Sequence, residues 1–584
     1  MSHARTLKRR PPRGSRRERG SLAVMAVLWL LVATIVLGVI DIGNVFYVRR
    51  NLQRVADMSA LAAAQKMDDQ CIQPTATAQQ NATANGFSST LQVACGRWDI
   101  QNNAPPSYFS VGGTQLNAVQ VTVSQNVPYF FMGPARTVQA VSTARATNTD
   151  QFTIGTTLAS LQNGAVNQLL NALLGTSLNL SVASYQALVG STIKIQDLMV
   201  AAGVGTVDQL LSLPVTAGQF MQLMLNALTR TQVVNANLQA AIGAMQTIVN
   251  AQVPGGNLIN VGSSNGGSGV IAVGLANTQA AVDAQINVFD AIMVSAEVAA
   301  AGKPAVQLAT GLQLAGQGVT LQVQIIEPPV LAVGEAGMNP STGQWRTLAR
   351  TAAVRLYLNI GLGTANLATA GLGLLGAIVG NLLPISVQLP VALQIAPGTA
   401  WLQSTNCATT TAASTAVVGV LPGLANLCIG TPLGLNASQA FGCNSATIVS
   451  ILNLITIQAN IQAIATLPQS SAATLTFNGI TGDSDDYQTA NSNAVGSVLG
   501  NAVQSLAQGL SSPNGLTVTI LGLPLALGAQ GLGSIISALT PLLTPLYSTL
   551  DALVVPLLNL LGAQIGSATV HNEALTCRAS QTVY

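Results

Sequence analysis

Residues 21–40 read SLAVMAVLWLLVATIVLGVI, twenty residues without a charge. At 1.5 Å per residue an α-helix of this length spans about 30 Å, the hydrocarbon thickness of a bilayer. The twenty residues before it carry eight Lys/Arg (Arg5, Lys8, Arg9, Arg10, Arg13, Arg16, Arg17 and Arg19) against one acid, Glu18. Positive charge beside a first apolar helix holds that end in the cytoplasm, so the rest of the chain is expected across the membrane. A cleaved secretory signal has an apolar stretch of only about 7–15 residues and a small-x-small cleavage site. This run instead continues without a break into Asp41-Ile-Gly-Asn-Val-Phe-Tyr-Val-Arg-Arg50. A core helix of a soluble fold has no need of eight cations in front of it.

Past the span the helical pattern persists. Val45, Val48, Leu52, Val55, Ser59 and Ala62 recur in alternating steps of three and four, as in a heptad seam. Asn51 to Lys66 is rich in helix formers, and Pro74 marks the far limit. Residues 21 to about 70 therefore predict one rod on the order of 75 Å long. Its seam faces either the chain's own body or a partner helix, the second case including a homo-oligomer through the stalk.

Beyond the rod the period of the pattern locates the elements. Val119, Val121 and Val123 alternate with polar residues, and Thr137 to Ala146 reads as a second strand. Helical faces follow at Leu158, Leu161, Leu169, Leu170 and Leu173, at Leu238, Ile242, Met245 and Val249, and at Val282, Ile286, Phe289 and Met293. Alternation in twos returns over Val319–Ile325, Val354–Leu362 and Ile385–Ile395. Residues 352–396 are apolar enough to suggest further membrane spans, but a lipid-facing helix does not alternate in twos. Arg355, Asn359, Asn381, Pro384, Gln388, Pro390 and Gln394 also interrupt them. Leu542 to Leu561, broken by Pro545, Asp551 and Pro556, reads as a packed helix pair.

The expected fold is α+β: a single N-terminal transmembrane helix, extended as a rod, leading into a body of helices and antiparallel sheet. Its segments are 1–20 (basic cytoplasmic leader), 21–40 (transmembrane helix), 41–73 (extended helix or stalk) and 74–150 (small β-containing module). Then come 151–312, a helical region with a Gly/Ser loop near 262–269, and 313–584, a strand-rich region with terminal apolar helices. Charged residues make up 7% of the 584, against a typical quarter, so the surface is solvated by amides and hydroxyls. Without the leader, fourteen basic and eighteen acidic residues remain, with no basic stripe after Arg54. Nucleic-acid binding is not expected.

The six cysteines, Cys71, Cys95, Cys407, Cys428, Cys443 and Cys577, all lie on the exported side, where disulfides persist. Cys71 and Cys95 are expected to close one loop, and the other four allow three pairings. No spacing among them suggests zinc. Material for catalysis is scarce. His3 lies in the leader, and His571 beside Glu573 reads as a surface hydrogen bond. No GxSxG accompanies it. Asp483, Asp485 and Asp486 read as a solvated turn rather than a calcium loop, because Gly and Glu do not follow at EF-hand spacing. The loop GSSNGGSG (262–269) lacks the GK[ST] of a phosphate cradle. Asp41 stands where the span meets water and reads as an interfacial hydrogen bond, and Asp57 lies near Arg54. No catalytic residue, metal, cofactor or small-molecule substrate is expected, and the chain is not expected to be an enzyme.

Gly20-Ser21, Asp41-Ile-Gly43, Arg49-Arg50-Asn-Leu-Gln53, Ala56-Asp57 and Ala60-Leu-Ala-Ala-Ala64 together resemble the N-terminal segment of TadG-like proteins of Tad (Flp) pilus assembly. Gly96-Arg-Trp-Asp99, Asn117-Ala-Val-Gln-Val121, Phe152-Thr-Ile-Gly155, Leu169 to Tyr185, and Leu550 to Cys577 around Leu560-Leu-Gly562 resemble the larger Tad-like membrane proteins with an exported region. The resemblance implies a single-pass protein of the bacterial inner membrane with a periplasmic body. Its partners would be the lipid bilayer and other pilus-assembly or envelope proteins. Some such proteins carry a von Willebrand A-type domain, whose DxSxS metal motif is missing here. The alternative is a pseudopilin-like subunit processed after Gly20, although Met25 stands where prepilins carry Glu.

Overall fold

A computed structural model describes residues 18–583 except 156–164, 231–235, 254–257, 264–268, 363–384, 434–440, 464–471, 491–515, 526–556 and shorter stretches of one to four residues. It divides into two compact units. One comprises Met1–Trp98, Asn103–Ala146 and Ser580–Tyr584, the other Asp99–Asn102 and Thr147–Ala579.

The first unit is built on helix α1 (Glu18–Ala64), followed by α2 (Ile72–Ala84) and by strands β1 (Gln92–Trp98), β2 (Phe109–Val111), β3 (Ala118–Val127) and the beginning of β4 (Arg136–Ile154). The strands pair antiparallel in the order β2-β1-β3-β4. On β3 the alternation works as the sequence implies: Val119, Val121 and Val123 are fully buried, while Ser124 on the other face is exposed. Their buried face receives α1 and α2. The α1 surface that meets it is Leu52, Val55, Ala56, Ser59, Ala60, Ala63 and Ala64. Small side chains there let the helix approach the sheet closely, and each buried Val or Leu adds about 1.5–3 kcal/mol.

Helix α1 ends at Ala64, short of the expected residue 70. Pro74 does not mark the rod's limit; it sits in the first turn of α2, where a missing N–H breaks no helical bond. The reversal passes through Cys71, in the left-handed region at φ 59°.

The second unit holds the helices Ala165–Leu174, Val182–Val189, Ile195–Ala202, Ala217–Leu228, Ala236–Asn250 and Val288–Ala300. They share one hydrophobic core with an antiparallel sheet that includes Gln317–Glu327, Ala353–Leu362 and Ile385–Ile395. Residues 353–362 and 385–395 are thus strands, not membrane-spanning helices. A four-stranded sheet (Leu348–Arg350, Thr399–Asn406, Thr415–Leu421, Ala473–Asn478) stands beside it in the chain order. The late strand Ala568–Val583 pairs with Tyr487–Ala490 and with β4.

Two expectations change. The face Val282-Ile286-Phe289-Met293 is not one helix: Ile286 lies in the strand Gln285–Asn287, and the helix starts only at Val288. Asn287 caps it, its side-chain oxygen accepting from the N–H groups of Phe289 and Asp290. Of the Gly/Ser loop, Gly262–Ser263 end one strand and Gly269 opens the next, and the residues between lie outside those described. Leu158 and Leu161 lie outside them too, as does most of 542–561, although Leu557, Leu558, Leu560 and Leu561 are buried in the large core. The cysteines form three disulfides, Cys71–Cys95, Cys407–Cys577 and Cys428–Cys443.

Leu52→Ala is expected to destabilise the first unit by about 2–5 kcal/mol. Ser59, fully buried with no partner for its hydroxyl, behaves oppositely: Ser59→Ala is neutral or stabilising by about 1 kcal/mol. Denaturant-dependent protection of α1 from protease in micelles measures both, and a loss of stability in Ser59→Ala would show that the hydroxyl is bonded.

Candidate functional site

Two constellations of polar side chains stand out against this charge-poor background, one in each unit. In the first unit, Asp41 follows the last residue of the apolar run. From Leu22 to Ile40 the side chains of α1 are almost all exposed; Asp41 is 2% exposed. Its carboxylate accepts from the backbone N–H of Phe130 at 2.7 Å and of Phe131 at 3.1 Å. These residues lie in the connection of the β3–β4 hairpin, which closes at the pair Val127↔Arg136. About three turns further along α1, Gln53 donates to Asp57 at 2.8 Å and to the carbonyl of Val141 at 3.2 Å, tying α1 to β4. Asp57 therefore holds Gln53, while Arg54 donates to Asn51.

The six residues of the seam lie along this contact. Leu52, Val55 and Ser59 are buried in the first unit's own core, Val45 and Val48 pack half-buried against it, and Ala62 is half-buried. Cys71–Cys95 links the start of α2 to β1. In the following Gly96-Arg-Trp-Asp99, a side chain at Gly96 would strike the carbonyl of Ser110 on β2. Asn117 holds Trp98 by both backbone groups, at 2.7 and 3.1 Å. Asp99 forms a buried ion pair with Arg346 at 3.2 Å.

In the second unit, His571, Asn572 and Glu573 sit on the strand Ala568–Val583. The structure corrects the reading of His571 as a surface group: it is buried because its strand has neighbours on both edges. The ring of Tyr487, directly opposite in register, stacks on the imidazole with centroids 4.1 Å apart. The imidazole Nδ1 meets Asp290 Oδ2 at 3.0 Å. Asp290 also accepts from Thr153 of β4 at 3.2 Å. Glu573 accepts from the backbone N–H of Asn287 at 2.6 Å. Asn572, on the opposite side of the strand, donates to both oxygens of Asp150 at 3.0 and 2.9 Å. One cluster thus joins β4, the capped start of Val288–Ala300 and the late strand.

The electrostatics follow from burial. Desolvation pushes the Asp150 carboxyl up to about 8. It raises Glu573 as well, reinforced by the neighbouring charge of Asp290. Burial alone would lower His571, but the hydrogen bond and charge of Asp290, with Glu573 and Asp486, outweigh it and the imidazole titrates above its ordinary value. At neutral pH this favours the protonated forms of Asp150, Glu573 and His571. Glu297, two turns along the same helix from Asp290, is likewise raised well above its ordinary value by burial.

Asp290, His571 and Glu573 offer ligand atoms within 4.8 Å of one another, a spacing that a metal ion can fit. Each is nonetheless already engaged by Thr153, Asn287 or another member of the cluster, and this arrangement fastens three elements together. Asp483, Asp485 and Asp486 cap backbone N–H groups of their own turn: Asp483 accepts from Asp485, Asp485 from Asn478, and Asp486 from Gly482. Sequence reasoning missed Asp150 and Asp290. Asn287-x-x-Asp290 is a cap signature for a helix start, which would have moved that boundary to its observed place.

The raised acids bind protons more tightly folded than unfolded. Their stabilisation is complete below the ordinary carboxylate range and is lost as pH rises towards about 8. His571, also raised, acts with the same sign. Melting temperature of the full chain is therefore expected to fall between pH 5 and pH 8. Asp150→Asn removes one such group and flattens the decline by up to about 1.4 kcal/mol per pH unit. An unchanged slope in the variant would mean that Asp150 is ionised in the fold.

Comparison with known proteins bears on both units. Residues 20–66 match the family described as Flp pilus-assembly TadE/G-like, and residues 62–146 the family described as Tad-like Flp pilus-assembly. Residues 162–297, the helical part of the second unit, match a domain of unknown function. No curated protein and no solved structure matches the chain. The two pilus-assembly matches together cover α1, with the Asp41 and Ala60–Ala64 segments, and the β1–β3 motifs around Trp98 and Asn117. Over residues 20–146, the chain is similar to Tad-like proteins of Flp pilus assembly.

Proposed function

We propose that this chain is a non-enzymatic, single-span component of a Tad/Flp-type pilus-assembly or secretion apparatus in the bacterial inner membrane. Its N-terminus is cytoplasmic, and its body lies outside, where it docks other envelope proteins. The observation that carries this reading is helix α1. Among the described residues it is the one helix long and apolar enough to cross a membrane. Its apolar half is exposed, while its second half forms the core of a folded module. Eight cations in the leader support the orientation. Three disulfides support an oxidising compartment for the body. The folded module on α1 supports a scaffolding role, because the helix fixes the height at which the module stands.

A reporter active only outside the cytoplasm, fused after Tyr584, is expected to be active, and the full-length chain to stay with membranes through an alkaline carbonate wash. Cytoplasmic-only activity would overturn the orientation. Release by carbonate would overturn the span.

A further inference from the structure

The hairpin tip of the first unit exposes two adjacent phenylalanines, Phe130 at 63% and Phe131 at 55%, with ring centroids 6.3 Å apart. Packing within the unit does not explain two such rings at the end of a connection that reads Pro128-Tyr-Phe-Phe-Met-Gly-Pro-Ala135. Their backbone is fixed to α1 at one height by the Asp41 carboxylate. That height is set by the helix: Asp41 is the first residue after the apolar run, so it stands where about 30 Å of hydrocarbon ends. Phe46 and Tyr47, exposed on α1, stand roughly 8–9 Å further along the axis, at the outer edge of the polar layer of the lipid, and Arg49 and Arg50 beyond them. Tyr favours this layer, and Phe buries its ring at the boundary between headgroups and acyl chains.

We infer that the Phe130–Phe131 tip is a second membrane contact, seated in the lipid interface of the outer leaflet and clamped there by Asp41. The inference rests on the reading that residues 21–40 span the bilayer. The tip and the helix grip the lipid at two points and so restrict the tilt and rotation of the first unit. Asp41 gains from the arrangement too. A carboxylate at the edge of hydrocarbon is costly without partners, and the tip supplies two N–H donors while covering it from lipid.

The test uses the full chain in phosphatidylcholine vesicles with the photoreactive residue benzoylphenylalanine at one of three positions. Position 131 reports the tip and position 28 the span. Position 111 reports the opposite end of the sheet, about 30 Å away along β3 at 3.3 Å per residue. Val111 flanks the Gly96 that pairs with Ala118, the far end of that strand. Lipid adducts are expected at 28 and at 131, each at least fivefold above 111. In Asp41→Ala the yield at 131 should fall several-fold with that at 28 unchanged. Labelling at 28 with only background at 131 overturns the tip contact and leaves the span standing. Labelling at neither overturns both. Protein adducts in place of lipid at 131 overturn the inference in favour of a partner chain, and an unaltered yield at 131 in Asp41→Ala overturns the clamp.

Discussion

Helix α1 meets two environments along one uninterrupted rod, and the change falls at Asp41. Before it, residue after residue is large, apolar and exposed. After it, the surface turned to β3 and α2 is made of Leu52, Val55 and a row of alanines that a sheet can approach closely. Because no break separates the halves, the orientation of the apolar segment and that of the folded module are the same variable. The two N–H groups of the hairpin tip that donate to Asp41, and the bond from Gln53 to the Val141 carbonyl, fix rotation of the helix against its sheet. Everything the first unit presents is registered to the apolar half of α1 through these few contacts.

The second unit solves a different problem. A chain with 7% charged residues has few charges to place, yet Asp150, Asp290, Glu297, His571 and Glu573 are all interior. Buried ionisable groups of this kind add little net stability relative to apolar packing. They do penalise any arrangement that leaves one of them unmatched. Asp290 without His571, or Asp150 without Asn572, is an uncompensated polar group in the core. In a body rich in interchangeable Ala, Leu, Val and Ile, such a cluster selects one pairing of β4, helix and late strand out of many with similar hydrophobic content.

Much of the architecture was legible because it is written locally. The apolar run, the helix that follows it, and the strands at 118–127, 317–327, 353–362 and 385–395 each carry their own period. Where local pattern misled, a neighbour distant in sequence decided. Val282 to Met293 keeps helical spacing by coincidence, since Ile286 belongs to a strand that pairs with Thr192–Lys194. His571 looked superficial because its partner, Asp290, is 281 residues earlier. That Asp41 makes a hydrogen bond was legible; the hairpin tip that supplies its donors, 89 residues on, was not. The pairings of the four later cysteines were likewise invisible, since spacing alone cannot say which strands become neighbours.

The late strand also sets the order of assembly. It brings His571, Asn572, Glu573 and Cys577 to partners that left the ribosome hundreds of residues earlier, Asn572 reaching Asp150 across 422 positions. Until it arrives, β4 lacks an edge neighbour and the interior acids lack their counterparts. Closing so long a loop is entropically slow. An emerging chain of this design stays incomplete until its last residues are made, with strand edges and interior acids unmatched until that final segment arrives.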